Sequence, residues 1–243
     1  MVKKLLDTAK VSGNTKVAKT GKKGLPFGGK VRMAQLSMMP DSILCAGSKA
    51  AGCMDSCLKD SGLAKAYRSV NIARQKKTDY WHQDREGFLS QLRRELTNFQ
   101  KNVCEKQGVQ GVVRLNVLSD IAWEEHNIPQ DFPTLYFYDY TKRAKRLNKT
   151  PSNYDLMFSY SARHQYRKQV LMAVCQDNPI AVVFKSKMPD TFLGREVIDG
   201  DQSDLTNVYA GKVIIGLKAK GPAKHDTSGF VVDANVIPSF TAV

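Results

Sequence analysis

A chain of 243 residues, 42% hydrophobic and 25% charged, can bury a core of α/β-barrel size in one domain or two smaller ones. Its formal net charge of +14, from 37 Lys and Arg against 23 Asp and Glu, makes nucleic acid or phosphorylated small molecules the natural partners. No apolar run approaches the roughly 20 residues of a membrane helix, and MVKKLLDTAK lacks the apolar stretch of a secretory signal, so a cytoplasmic protein without membrane partners is expected.

Residues 1–32 are rich in lysine and glycine and contain a single acid, Asp7. GKKGLPFGGK has too little apolar content to fold alone, so this segment is expected to be a flexible basic arm. Its glycines do not follow the spacing of a phosphate-binding loop. Residues 33–243 are expected to form one α/β domain.

From Val31, VRMAQLSMMP predicts a strand that Pro40 ends. A cysteine loop follows, CAGSKAAGCMDSC, with Cys45, Cys53 and Cys57 spaced Cys-x7-Cys-x3-Cys. A helical region is predicted from about Gly62 to Lys101; its second half repeats Phe88, Leu89, Leu92, Leu96 and Phe99 at helical spacing. After Gly108 short apolar runs recur: GVVRLNVLSDI, TLYFYDYTK, DLMFSYSA and IAVVFKSK, then GKVIIGLKAKG and GFVVDAN. Between them lie helix-length connections, of which RHQYRKQVLMAVCQDN is amphipathic. Strands alternating with such connections imply a parallel sheet of βα units, a partial or distorted (β/α) barrel.

Several runs end in polar, chemically capable groups: Asn116, Ser119 and Asp120; Tyr138, Asp139 and Lys142; Ser159 and Ser161; Lys185 and Lys187. Active sites of parallel α/β folds gather at the C-terminal ends of the strands. The cysteine loop leaves the same end of its own strand. A shared cofactor-binding mouth is therefore expected, against the plain alternative that strand ends turn polar at any surface.

An odd cysteine count with a clustered triplet suits a reducing compartment and a metal more than disulfides. Soft thiolates select iron–sulfur clusters or zinc. Three ligands leave one position open, which favours a 4Fe-4S cluster, with zinc as the alternative and unliganded thiols as the bland reading. The four histidines form no metal-binding pair, and KRAKRLNK suggests a solvated basic face. VIDGDQSDL resembles an oxygen-ligand loop only loosely, lacking the closing glutamate of a calcium site, and a polar turn is the simpler reading. KHDTSGFVV suggests a tight turn before a strand.

LNVLSDIAW followed by LYFYDYTKR, after a loop of the form C…GC…C, resembles the uncharacterised bacteriophage "gene product 88" family. The matching positions are Cys45, Cys53, Cys57, Ser119, Asp120, Tyr140, Thr141 and Lys142. The resemblance extends over most of residues 33–232 and implies a phage protein, with no activity to carry over; a host protein is a further expected partner. A more distant likeness is to radical S-adenosylmethionine enzymes, which place a three-cysteine loop after the first strand of a partial barrel. That likeness implies S-adenosylmethionine as a second cofactor at the strand ends. The spacing here differs from their usual Cys-x3-Cys-x2-Cys, and a glycine-rich cofactor motif is not evident. Two classes of function follow: a phage iron–sulfur protein with radical-type chemistry on a nucleotide or nucleic acid, and a non-enzymatic host-takeover or nucleic-acid-binding protein with a structural metal.

Overall fold

The computed structural model describes residues 2–8 and 31–235. The first strand lies inside the expected basic arm. Leu5 and Leu6 are buried, and β1 (Leu6–Thr8) pairs antiparallel with β2 (Val31–Leu36), Leu6 opposite Leu36. Two apolar residues among the lysines suffice to add an edge strand. Glu95 accepts from the amides of Leu5 and Leu6 at 2.9 and 2.8 Å, and Lys77 donates to the Leu5 carbonyl at 2.7 Å. The remainder of the expected arm, residues 9–30, lies outside the described residues.

The region predicted as one long helix is three. After a short α1 (Ser48–Ala51) come α2 (Leu63–Ala66), α3 (Arg68–Gln83) and α4 (Arg85–Phe99), with a π-helical extension over Gln100–Glu105. Asp84 leaves helical geometry between α3 and α4, and its side chain caps α4 by accepting from Gly87 N at 2.8 Å. The apolar positions read from the sequence, Phe88, Leu89, Leu92, Leu96 and Phe99, form the buried face of α4.

β3 (Gln110–Arg114), a short α5 (Ile128–Asp131), β4 (Tyr136–Thr141), β5 (Tyr154–Ser159), α6 (Arg167–Val174) and β6 (Ile180–Phe184) follow. Then come β7 (Thr191–Phe192), β8 (Arg195–Asp199), α7 (Asp204–Val208), β9 (Ile214–Lys218) and β10 (Val231–Val232). The ten strands make one sheet in the order β1-β2-β3-β4-β5-β6-β9-β8-β7, with β10 beside β6. All neighbouring strands are parallel except β1 on β2 and β7 on β8. The sheet is open, with β1 and β7 at its edges, so the expected βα units and parallel pairing are present without barrel closure.

Alternation along β3 and β4 divides the core. Val113, Leu115 and Phe137 join the large cluster that includes α4, whereas Val112, Tyr136 and Tyr138 meet Leu205 and Val208 of α7 in a smaller one. β6 uses one edge for β9 along its whole length. On its other edge β5 pairs only with Ile180 and Ala181, and β10 takes over at Val183 and Phe184. β10 is thus wedged in where β5 leaves, and it brings the segment before it, Asp226–Phe230, to the C-terminal end of the sheet.

Candidate functional site

The cysteine loop is tied to the exits of β3 and β5 and to the approach to β10. Leu44 O accepts from Asp120 N at 2.7 Å, and the Cys45 thiol lies 3.2 Å from Leu118 O, both partners following β3. Ser161, just past β5, donates to Ala51 O at 2.7 Å, and Arg163 donates to Lys49 O at 3.1 Å. Ser228, on the approach to β10, donates to Gly52 O at 3.1 Å, and Ser56 donates to the Asp226 carboxylate. Two glycines let the loop sit this low. Gly52 adopts φ 75°, and a Cβ on Gly47 would fall 2.5 Å from the Lys142 Cβ.

Lys142 forms the floor beneath Gly47. Its side chain is only 9% exposed; the ammonium donates to Ser159 Oγ at 2.7 Å and sits 4.3 Å from the Phe230 ring centre. Burial pulls its pKa below the ordinary lysine value. The opposing influences are Cys53 first, then Asp120, Cys45 and Cys57. Asp120 is already engaged, accepting from Arg146 Nη1 at 2.6 Å and from Lys142 N at 2.9 Å. The three thiols are therefore the remaining anion-forming groups around this ammonium. The Cys45 thiol is pushed far up, by burial first and then by Cys57, Asp120 and Cys53. All five cysteines are thiols rather than disulfides. Among the described residues no group of three or more His, Cys, Asp or Glu side chains is arranged to hold a metal ion. The three thiols are electrostatic neighbours, not a converged ligand set.

The strand-end residues singled out from the sequence divide into three groups. Lys142, Ser159 and Ser161 stand at the loop, with Asp120 beneath them. Asn116, Ser119 and Asp139 form an internal scaffold instead: Asn116 Oδ1 accepts from Ser119 Oγ, Ile121 N and Trp123 Nε1, while Asn116 N and Tyr154 OH donate to Asp139 at 2.8 and 3.0 Å. That scaffold shapes the loop that positions Asp120. Burial raises the Asp139 pKa to about 7 against the lowering effect of Arg114 and these hydrogen bonds. Tyr138 lies on the opposite face of the sheet, its hydroxyl 3.3 Å from Asp204. Lys185 is exposed just beyond β6.

Several participants escaped the sequence reading. Arg146, placed in an expected solvated face, is buried and bonded to Asp120 and Glu124. Asp204, read within a polar turn, is buried against Arg114 at 3.0 Å and Tyr140 at 2.8 Å. Asp226, Ser228 and Phe230 belong to the mouth; the only signal was the DTSGF string, whose long-range pairing sequence order does not reveal. Two open grooves lie at the other end of the strands, one lined by Cys104 and Gly111, the other by Asp155 and Asp177.

Fold and site define an open, mostly parallel α/β protein with a three-thiol loop seated over a buried lysine at the C-terminal edge of its sheet. Among the described residues no helix is long and apolar enough to cross a membrane. The chain belongs to the Gene product 88 family, whose family model matches residues 4–234. No curated protein and no solved structure matches it, so the likeness to radical S-adenosylmethionine enzymes gains no support.

Proposed function

We propose that the three-cysteine loop holds a soft-metal centre, a 4Fe-4S cluster in first place and zinc in second, and that this phage-type protein uses it on a nucleotide or nucleic acid. The observation that carries the reading is Lys142. A buried ammonium without an ion-paired carboxylate is costly, and Asp120 is taken by Arg146. Three thiolates around a doubly positive cluster or zinc would supply the missing negative charge, and they would leave one coordination position open. Binding would require the thiols to converge further than the structure has them, a movement of the Cys45–Cys57 loop. No S-adenosylmethionine is assigned, because Asn116, Ser119, Asp120 and Asp139 direct their hydrogen bonds to one another and to the chain.

A second reading, docking on a host protein with a structural metal, is favoured by the exposed apolar side chains that flank the loop: Ile43, Leu58, Tyr67 and Ile72, between 48% and 67% exposed. Anaerobic purification followed by absorption spectroscopy and iron, sulfide and zinc analysis separates the readings. Brown protein containing iron and sulfide, both lost in Cys53→Ala and diminished in Lys142→Met, is the expected result. Colourless protein with tightly held zinc would remove the cluster and leave the second reading. Metal-free protein with three titratable loop thiols would remove both.

A further inference from the structure

Exposed cations gather at the C-terminal edge of the sheet. β6 and β9 are parallel neighbours, with Phe184 opposite Lys218, so their exits leave at the same level. Those exits carry Lys185, Lys187, Lys218 and Lys220, and the turn after β9 adds Lys224. All five are exposed. Only Lys220 forms an ion pair with an acid among the described residues, Asp201 at 2.7 Å. The turn that carries Lys224 packs against the chain just past the cysteine loop, since a Cβ on Gly221 would overlap Ser61 Oγ. The basic edge therefore runs up to the thiol loop and continues into α2 and α3. From Ser61 to Lys76 the sequence has four Lys and Arg and no acid, Lys77 beyond them being buried and paired with Asp7, and Tyr67 there is 60% exposed.

Acids do interrupt this surface. Asp55 and Asp190 are exposed on the same loops, but Asp226 is bonded to Ser56, Ser228 and Val231 N. At the N-terminal edge the exposed Lys212 pairs with Asp177 at 3.1 Å.

We infer that the lysines beyond β6 and β9 form a docking track for the phosphodiester backbone of a single-stranded nucleic acid, which leads the strand past the cysteine loop to Tyr67. Unpaired, exposed ammonium groups at the exits of adjacent strands bind phosphates by releasing counterions. An exposed tyrosine among cations is a base-stacking platform that tolerates any sequence. Neighbouring strands lie about 4.8 Å apart, so successive exits present cations at intervals shorter than a phosphate repeat, and a flexible single strand follows them. The inference rests on the C-terminal edge being the working end, as in the proposed function, but not on a metal.

The test is binding of a fluorescein-labelled oligonucleotide of about 20 nucleotides, as DNA and as RNA, to the full chain between roughly 50 and 200 mM salt. Lys185→Gln/Lys187→Gln/Lys218→Gln is compared with Lys106→Gln/Lys149→Gln/Lys212→Gln at the opposite edge, an equal change in charge. The first triple variant is expected to lower affinity at least tenfold and flatten the log–log salt slope by about 2, at roughly 0.7 per lost phosphate contact on a single strand. The control triple is expected to change the slope by less than half as much. Tyr67→Ala is expected to weaken single-strand binding without changing that slope. Equal effects from the two triples, binding of duplex in preference to single strand, or absent binding at low salt would each overturn the inference. The metal analysis keeps the two readings separate: metal-free unsubstituted protein that still binds the oligonucleotide defeats only the centre, and metal-loaded protein with unchanged binding in the first triple defeats only the track.

Discussion

Asp139 shows how much a residue's role depends on the direction its side chain takes. From sequence it was one of several polar groups at the end of a strand. In the fold it is buried at the centre of the scaffold built by Asn116 and Tyr154. A strand's period of two places neighbours on opposite faces, so Tyr138 and Asp139 cannot serve one mouth, and no string of letters says which of them faces α7. The pH consequence is specific. Burial raises the folded pKa of Asp139 to about 7, against about 3.9 for an unfolded aspartate. Between those values the folded protein holds a proton that the unfolded chain has released. The contribution to stability is therefore full below about pH 4, falls as pH rises toward 7, and is flat above it. Urea denaturation from pH 4.5 to 8 should show this decline, and Asp139→Asn should flatten it. Asp120, also raised by burial despite Arg146, adds a slope in the same direction. A stability that rises across this interval, unchanged in Asp139→Asn, would contradict the assignment.

Among the elements, the strongly periodic ones were legible and the short ones were not. β4, β6 and β9 fall within the runs read as strands, β5 begins one residue before its run, and α4 carries the predicted face. The helix boundaries at Tyr67 and Asp84 carried weaker signals, since Asp is an ordinary residue until its side chain is seen to cap. α7 is the more instructive failure. Five residues leave little room for periodicity, and its meaning lies in a contact with Arg114, 90 positions away in sequence. Asp204 accepts from Arg114, Tyr138 and Tyr140, and α7 thereby closes the second face of the sheet. Removing one partner of a buried pair leaves an uncompensated charge, at a typical cost of about 3–5 kcal/mol. Asp204→Ala should destabilise by about that amount in urea. The combined Arg114→Met/Asp204→Leu should recover part of the loss, because neither member of the pair is then left charged without the other, although Asp139 loses Arg114 as a neighbour. A loss under about 1 kcal/mol for Asp204→Ala would mean that Arg114 finds a sufficient partner in Asp139, 3.9 Å away.

At the scale of the whole molecule, the alternation of strand and helix runs indicated the class of fold and composition the excess of positive charge, but neither showed where that charge resides. The expected solvated face at residues 142–149 proved partly internal, because Lys142 and Arg146 are drawn under the loop by Ser159, Asp120 and Glu124. The lysines beyond β6 and β9 stay outside. This division has a measurable consequence. Ion pairs in the interior, Arg146 with Asp120 and Arg114 with Asp204, are screened little by salt. Exposed cations in excess repel one another, and a Debye length that shrinks from roughly 30 Å at 0.01 M to about 8 Å at 0.15 M relieves that repulsion. With a net charge of +14, the thermal midpoint should therefore rise with sodium chloride over this range. Substituting Lys185, Lys187 and Lys218 by Gln should raise the midpoint at low salt and reduce its salt dependence. A midpoint that falls as salt is added would show that exposed ion pairs, such as Arg93 with Asp131, outweigh the repulsion.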